Sequence, residues 1–234
     1  DSKSKPKDNE LNSEQASKVA VITGGGTGVG AATALALDAQ GWSVVICGRR
    51  IELLDAVADR LKNPCASVPL DVAQPEAVDQ LFATTIQKFG RVDLLFNNAG
   101  IGAPPVPIDE LPVMSWLEVV DINLTGTWLC SRAAFREMKA QKPSGGRIIN
   151  NGSVSAQTPR PLSSPYTATK HAITGLTKAL ALEGREHGIT VGQIDIGNAL
   201  TPLTNQISEG ALQADGTVRA EPTMDVGHVA DAVV

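Results

Sequence analysis

Short apolar runs rich in β-branched residues alternate with helical patterns along most of the chain, and this alternation restricts the fold more than any other feature. Strands are predicted at 18–23, 42–48, 66–72, 92–98, 146–153 and 189–196. Helices are predicted between them, at 31–40, 51–62, 75–90, in stretches through about residue 141, and at 164–188. Apolar strands that alternate with helices form a parallel sheet covered on both faces. We therefore expect a single α/β domain with a doubly wound parallel sheet.

The composition supports one globular domain and limits its partners. Of 234 residues, 42% are hydrophobic, which is enough for a sizeable core. The net charge of −5 argues against nucleic acid or an anionic membrane as a partner, and no apolar run reaches the roughly 18 residues of a membrane span. Cys47, Cys65 and Cys130 are too widely spaced for a disulfide framework or a metal cluster, so a reducing cytoplasm is expected. Residues 1–17 are expected to form a polar tail and residues 18–234 the domain.

A glycine cluster follows the first predicted strand, where ligands of open parallel sheets bind. Residues 23–30 read TGGGTGVG. Glycines allow a tight turn there, and they let a phosphate approach the amino end of the next helix, where free N–H groups favour an anion. The strict G-x-G-x-x-G spacing of dinucleotide sites is absent, although Gly26-x-Gly28-x-x-Ala31 fits its alanine variant. The alternative is a glycine-rich turn without a ligand.

Two arginines follow the second strand, in the sequence Gly48-Arg49-Arg50. An NAD site usually carries an acid about 20 residues beyond its glycines, to bind the ribose 2′-hydroxyl. A guanidinium instead pairs with a 2′-phosphate, which an acid would repel. The sequence therefore favours NADP over NAD, with Arg49 the better candidate of the two. The alternative is that both arginines are solvated charges at the start of a helix.

Two further segments follow strands four and five. The sequence NNAG at 97–100 offers amide and small side chains that suit hydrogen bonds between strand ends and leave room for a ribose.

The chain's one tyrosine, Tyr166, lies one helical turn before Lys170, so the two share a helix face. A cation about 5 Å from the phenol, at an effective dielectric of about 20, favours the phenolate by roughly 3 kcal/mol, or about 2 pKa units. We therefore expect Lys170 to bring the pKa of Tyr166 towards neutrality; a core tyrosine beside a surface lysine is the alternative.

Together these motifs resemble the classical short-chain dehydrogenase/reductase family. The matching elements occur in the family's order and at its spacings: T-G-x-x-x-G-x-G at 23–30, Asp71, NNAG at 97–100, Asn123, Ser153 and Y-x-x-x-K at 166–170. The likeness runs from about Lys18 to about Ile196 and continues more loosely beyond. It implies a Rossmann-like fold and a nicotinamide dinucleotide cofactor. The two arginines favour NADP over NAD as that cofactor.

The resemblance implies a catalytic tetrad of Asn123, Ser153, Tyr166 and Lys170. Tyr166 would be the general acid–base that exchanges a proton with the substrate oxygen, and Ser153 would orient that oxygen. Lys170 would bind the nicotinamide ribose and lower the pKa of Tyr166, while Asn123 would hold a water in a proton relay. Ser155 competes with Ser153 for its role, and the spacing to Tyr166 favours Ser153.

The resemblance also assigns residues to the cofactor. Gly24, Gly28 and Gly30 would flank the pyrophosphate, Asp71 the adenine and Asn98 the adenosine ribose. The complete expected set is Gly24, Thr27, Gly28, Val29, Gly30, Arg49, Arg50, Asp71, Val72, Asn98, Tyr166, Lys170 and Thr201. No metal is expected.

The chain departs from the family pattern at two places. After strand six the family usually shows proline-glycine with a threonine further on; here Gly197 and Thr201 match, but Ile196 replaces the proline. The chain also ends at Val234 within an apparent helix at 225–234, after which the family normally adds a seventh strand. We therefore expect a sheet without that last strand.

These motifs predict an NADP(H)-dependent oxidoreductase that interconverts a carbonyl and a secondary alcohol by hydride transfer. A 3-oxoacyl-carrier-protein reductase is the alternative within the class, and a non-catalytic dinucleotide-binding sensor or scaffold is the alternative outside it. The expected partners are a small-molecule substrate and further copies of the chain, in a dimer or tetramer. Substrate choice is expected to depend on residues 198–224, and a moderately apolar pocket is suggested by Pro159, Pro161, Leu162, Leu200 and Leu203.

Overall fold

A computed structural model of the chain describes residues 17–202, 204 and 210–234. The predicted tail lies outside these residues except for Ser17, whose hydroxyl donates to the carbonyl of Gly41 at 2.8 Å and accepts the N–H of Ser43 at 3.1 Å. Leu203 also lies outside them. None of the described helices is long and apolar enough to cross a bilayer.

A six-stranded parallel sheet forms the centre of the molecule. Its spatial order is β3-β2-β1-β4-β5-β6, so the order reverses between β1 and β4, at the point where such sheets bind ligands. The strands are β1 Val19–Thr23, β2 Ser43–Gly48, β3 Cys65–Pro69, β4 Leu94–Asn97, β5 Gly146–Asn151 and β6 Ile189–Ile194. The predicted doubly wound parallel sheet is confirmed.

Helices cover both faces of this sheet. Their bounds are α1 Gly28–Ala39, α2 Ile51–Ala58, α3 Pro75–Phe89, α4 Val113–Val120, α5 Gly126–Ala140, α6 Ser164–Glu183 and α7 Val226–Val233. Successive residues of β1 face opposite sides: Val19 and Val21 pack with α3 and α5, while Ala20 and Ile22 pack with α1, α2 and α7. The two apolar clusters explain why the strands are hydrophobic almost throughout.

Several predicted element ends are wrong by a few residues. β3 stops at Pro69 rather than residue 72, and the last bond of its ladder runs from the N–H of Leu70 to the carbonyl of Gly48 at 2.9 Å. β5 ends at residue 151 and β6 at residue 194, which leaves Ser153 and Asp195 in the loops just beyond. Helix α6 ends at Glu183 and a 3₁₀ turn covers Arg185–His187.

The segment expected to select substrate contains a short antiparallel hairpin that the sequence did not predict. β7 Ala211–Leu212 pairs with β8 Val218–Arg219. Asp215 stabilises the turn between them, since its carboxylate accepts the N–H of Thr217 at 3.0 Å. No strand follows α7 in the described residues.

A π-helical turn, Asp121–Thr125, joins α4 to α5. A π turn inserts an extra residue into a helix and is frequent at functional sites. Here the turn buries Asn123, which is 2% exposed. Gly126 follows the turn, where a Cβ would lie 2.6 Å from a methyl carbon of Val72.

Candidate active site

A cleft of about 460 Å³ opens across the carboxyl ends of the strands. Residues from segments far apart in the sequence meet there because parallel strands all end at the same edge of the sheet. Every predicted site residue lines the cleft except Gly30, Asn123 and Ser153.

The glycine-rich loop after β1 leaves room for an anion. Gly24 and Gly28 have φ angles of +64° and +53°, in the left-handed region that glycine tolerates best. A Cβ on Gly30 would overlap the carbonyl oxygen of Gly24 and lie 2.6 Å from Nδ2 of Asn98. Thr27 caps α1 without a side-chain hydrogen bond, so the first N–H groups of the helix remain available at the cleft. This geometry fits the pyrophosphate of a dinucleotide.

Asn98 ties the glycine loop to the neighbouring strands. Its Nδ2 donates to the carbonyl oxygens of Thr23 at 3.0 Å and Gly24 at 3.3 Å, and its Oδ1 accepts from Asn151 at 2.9 Å. The side chain therefore holds the loop in place. A contact between Asn98 and a ribose stays a prediction.

Charged side chains lie at the end of the cleft nearest β2 and β3. Arg49 and Arg50 are exposed, and Nη1 of Arg49 lies 3.8 Å from Oε1 of Glu118. Both partners are 58% exposed, so this ion pair contributes little to stability. The carboxylate of Asp71 accepts the N–H of Ala73 at 3.0 Å, which fixes the loop after β3.

Tyr166 and Lys170 lie together at the opposite end of the cleft. Nζ of Lys170 is 5.4 Å from the centroid of the Tyr166 ring. Lys170 is only 5% exposed, and its ammonium donates to the carbonyl of Asn151 at 2.6 Å. Helix α6 therefore places a phenol and a buried ammonium beside the end of β5.

The expected lowering of the Tyr166 pKa is wrong for this structure. Burial raises the pKa of Tyr166, and a hydrogen bond with the Ser153 side chain and the charge of Arg160 offset only part of that rise. Burial also lowers the pKa of Lys170 to about 8, against an opposing effect of the Asp195 charge. Desolvation penalises both charged forms, so burial outweighs the attraction that sequence spacing suggested.

Ser153 and Asn123 lie just behind the cleft surface. The Ser153 hydroxyl accepts the N–H of Ser155 at 3.1 Å and lies close enough to Tyr166 to lower the pKa of the phenol, and the choice of Ser153 over Ser155 stays a prediction. Oδ1 of Asn123 accepts the N–H of Ile101 at 2.8 Å, and its Nδ2 donates to the Ile101 carbonyl at 2.9 Å. Asn123 thus anchors the loop after β4, and the water-holding role stays a prediction.

Sequence reasoning missed two charged residues near the phenol. Nothing in the sequence pattern assigned a role to Asp195, yet its carboxylate accepts the N–H of Ser153 at 3.1 Å. Arg160, in the loop after β5, donates to Oδ1 of Asn198 at 2.9 Å and to the carboxylate of Glu221. Their positions in the sequence could have identified them, because both residues follow strands that end at the ligand-binding edge of the sheet. The described residues contain no group of three His, Cys, Asp or Glu that could hold a metal.

Comparison with known proteins agrees with this geometry. The short chain dehydrogenase family model matches residues 18–212. The chain is 36% identical to a 3beta-hydroxysteroid dehydrogenase of Mediterraneibacter gnavus, over 82% of this chain and 69% of that protein.

Solved structures superpose well on the chain. The 3-ketoacyl-(acyl-carrier-protein) reductase of Brucella melitensis, complexed with NADH, gives a TM-score of 0.82 at 30% identity, over 92% of this chain and 88% of that one. A variant of actinorhodin polyketide ketoreductase with NADPH gives 0.83 at 29% identity, over 93% and 88%.

The chain belongs to the short-chain dehydrogenase/reductase family. It is an oxidoreductase that acts on CH–OH groups of small molecules with a nicotinamide dinucleotide bound on its Rossmann fold.

Proposed function

We propose that the protein interconverts a small-molecule carbonyl and a secondary alcohol, uses NADP(H) in preference to NAD(H), and employs Tyr166 as general acid–base. One observation carries the proposal: Tyr166 and Lys170 line the same cleft as the glycine-rich loop, and Ser153 lies just behind them. A non-catalytic sensor would need the loop but has no use for that convergence.

The cleft accommodates the cofactor through the loop after β1 and the arginines after β2. The first turn of α1 would hold the pyrophosphate, and Arg49 is the guanidinium that would pair with a 2′-phosphate. The bound nicotinamide supplies the hydride acceptor or donor. Because its exposed pairing with Glu118 is weak, the Arg49 guanidinium is free to pair with a phosphate.

The proton moves through the chain's own residues. Because burial raises the pKa of Tyr166, the phenol is protonated at neutral pH, the state that donates to a carbonyl oxygen. The Ser153 hydroxyl, close enough to act on the pKa of the phenol, orients the same oxygen. The ammonium of Lys170, held by the carbonyl of Asn151, stabilises the phenolate that remains after donation.

Replacement of the acid–base tests the mechanism. Tyr166→Phe keeps the ring and removes the proton, so turnover should fall by about 100-fold or more while the Kd for NADPH stays within about twofold. Ser153→Ala should lose turnover as well, and Ser155→Ala serves as its matched control. The measurements are NADPH absorbance for turnover and titration of nucleotide fluorescence for binding. Undiminished turnover in Tyr166→Phe would refute the assignment, and NADPH binding without any turnover in wild type would favour a sensor.

Replacement of Arg49 tests the cofactor preference. Arg49→Ala should raise the Kd for NADPH about tenfold or more through loss of a charged hydrogen bond, and should leave the Kd for NADH within about twofold. Arg60→Ala removes another exposed guanidinium, outside the cleft, and controls for net charge. If the wild type uses NADH as well as NADPH, the assignment of Arg49 is wrong.

A second groove of about 420 Å³ at the start of α6 supports an apolar substrate. It is lined by Val106, Ile108, Pro159, Arg160, Leu162, Ser163, Ser164 and Thr167. Of the predicted apolar residues, Pro159 and Leu162 line it, Pro161 and Leu200 do not, and Leu203 lies outside the described residues. We infer that free ketones or alcohols with an apolar ring or chain enter here.

The 3-oxoacyl-carrier-protein reductase alternative rests on the likeness to the Brucella melitensis enzyme. A screen of free cyclic ketones beside a 3-oxoacyl thioester, with and without its carrier protein, separates the two activities. A turnover rate that depends on the carrier protein would favour the alternative.

We also propose that the chain forms a homo-oligomer. Helices α4 and α5 leave large apolar side chains exposed, namely Val113, Met114, Trp116, Leu117 and Trp128, between 39% and 72%. Contiguous exposed apolar surface marks interaction sites in soluble proteins, and four of these side chains lie within the five residues Val113 to Leu117 of α4.

A further inference from the structure

We propose that Asp195 is a positioning residue of the catalytic centre, whose carboxylate fixes the backbone of Ser153 and supplies the counter-charge for the buried ammonium of Lys170. The inference rests on the proposed function, in which Ser153 orients the substrate oxygen and Lys170 stabilises the phenolate.

The carboxylate of Asp195 takes the place of a main-chain acceptor between β5 and β6. The N–H groups of residues 152–154, just beyond β5, donate to residues 194–196 at the end of β6. Gly152 donates to the carbonyl of Ile194 at 2.8 Å, and Val154 donates to the carbonyl of Ile196 at 3.2 Å. Between them, the N–H of Ser153 donates to Oδ1 of Asp195 at 3.1 Å. The backbone position of Ser153 therefore depends on a side chain.

Residue 152 must be glycine for this arrangement to form. A Cβ at Gly152 would overlap Oδ1 of Asp195 and lie 2.6 Å from Nε2 of Gln193. The close approach of the carboxylate to the β5 end is thus built into the loop.

A series of polar side chains orients the carboxylate. Nε2 of Gln193 donates to Oδ1 of Asp195 at 2.5 Å and to Oγ1 of Thr174 at 3.0 Å. The Thr177 hydroxyl accepts from Asn150 at 2.9 Å and donates to the carbonyl of Ile173 at 2.8 Å, with Oε1 of Gln193 at 3.3 Å. Hydrogen bonds therefore connect α6, through Gln193, to Asp195. A network satisfied in this way fixes one orientation of its members.

The charge of Asp195 acts on Lys170 without a direct ion pair. In the part of the chain that the structure describes, Lys170 forms no ion pair within 4.0 Å, and its one hydrogen bond goes to a carbonyl. The charge of Asp195 opposes the lowering of the Lys170 pKa that burial causes. The other groups that face the pair are Tyr166, from the helix of Lys170 itself, and Arg160, whose charge acts on Tyr166. Asp195 is exposed, so its effect should weaken as salt concentration rises.

Direct titration of Lys170 tests the electrostatic half of the proposal. Lysine labelled with ¹³C at Cε is followed by NMR across pH in the full chain, and the Lys170 resonance is assigned by its loss in Lys170→Arg. Asp195→Asn should move the titration midpoint of Lys170 to lower pH, and added salt should reduce the difference from wild type. Asp231→Asn removes an exposed carboxylate from α7 and should leave the midpoint unchanged. An unchanged midpoint in Asp195→Asn overturns the proposal.

A double-mutant cycle tests whether Asp195 acts through Ser153. Asp195→Ala should lower kcat about tenfold with KM within about twofold, and the same change in a Ser153→Ala background should lower kcat less than about twofold. Equal losses in the two backgrounds overturn the positioning role. If Asp195→Ala does not fold, Asp195→Ser takes its place in the cycle. The NMR titration of Lys170 does not depend on turnover. It therefore still tests the effect of the Asp195 charge if the Tyr166→Phe variant refutes the proposed function.

Discussion

Burial favours the neutral form of both residues at the centre of the site. It raises the pKa of the Tyr166 phenol and lowers the pKa of the Lys170 ammonium to about 8. A desolvated ammonium is expensive to keep charged, and here its compensation is one carbonyl and the distant charge of Asp195. The centre therefore keeps a charged group at the expense of stability, which is common where chemistry requires it.

Removal of that ammonium should stabilise the fold. The folded-state pKa of Lys170 lies below its usual 10.5, at about 8, so at pH 7 the buried charge costs about 3 kcal/mol at 1.4 kcal/mol per unit. Lys170→Met gives up one hydrogen bond, and we expect a net gain of about 1–2 kcal/mol in the free energy of unfolding at pH 7.

The pH dependence of this gain has a definite sign. Between pH 8 and 10.5 the folded state binds fewer protons than the unfolded state, so wild-type stability rises with pH relative to the variant. Urea unfolding at pH 7 and pH 10 measures both differences. A gain that persists unchanged at pH 10 would show that Lys170 is not the group responsible.

The loop between β1 and α1 packs against the segment that follows β4, and that segment in turn binds the end of β5. Gly30 lies against the carbonyl of Gly24 and the amide of Asn98, and Asn98 in turn binds Asn151 of β5. The phosphate-binding end of the cleft is thus connected to the strand that leads to Ser153. A disturbance at Gly30 should therefore affect cofactor binding and the order of the neighbouring strand ends together.

Gly30→Ala should weaken NADPH binding about tenfold or more and lower stability by about 1–3 kcal/mol, because the added Cβ displaces backbone. Gly175→Ala is the matched control, since a Cβ there meets nothing within 4 Å and the residue lies inside α6. That variant should gain about 0.5–1 kcal/mol from helix propensity and bind NADPH as wild type does. Calorimetric titration and thermal unfolding measure both quantities, and normal binding by Gly30→Ala would contradict the close packing.

Elements with a strong local pattern could be predicted from the sequence. Apolar runs fixed the strands, and the reversal of strand order then brought separated segments such as 23–30 and 166–170 to one edge. Features that depend on contacts distant in sequence could not be predicted. The β7–β8 hairpin, the π turn at Asp121–Thr125 and the bond between Asp195 and Ser153 belong to this group.

The direction of the Tyr166 pKa illustrates the same limit. Helical spacing places Lys170 beside the phenol, and the structure has this arrangement. Spacing carries no information about how deeply the pair is buried, however, and burial decides the direction. Local pattern therefore identifies the residues of a site better than it identifies their charge states.

Two separate surfaces of the molecule are suited to binding: the cleft at the carboxyl edge of the sheet, and the exposed apolar side chains of α4 and α5. The carboxyl edge of the sheet carries the cleft, and the two apolar clusters on either face of the sheet hold that edge rigid. Helices α4 and α5, beside the π turn that buries Asn123, expose Met114 at 72% and Trp128 at 46%. An assembly formed through these helices would support the loop that Asn123 anchors.

We expect the wild type to elute as a multiple of its 24.4 kDa chain mass in size-exclusion chromatography with light scattering. Met114→Glu places a charge on the exposed face of α4 and should shift the protein towards monomer, since an unpaired charge in an apolar interface is strongly unfavourable. Val218→Glu adds the same charge at another exposed apolar position, 68% exposed on β8, and should leave the mass unchanged. A wild type that stays monomeric at micromolar concentration would contradict the assembly. If the assembly also supports the Asn123 loop, Met114→Glu should lose thermal stability as it dissociates, whereas Val218→Glu should not.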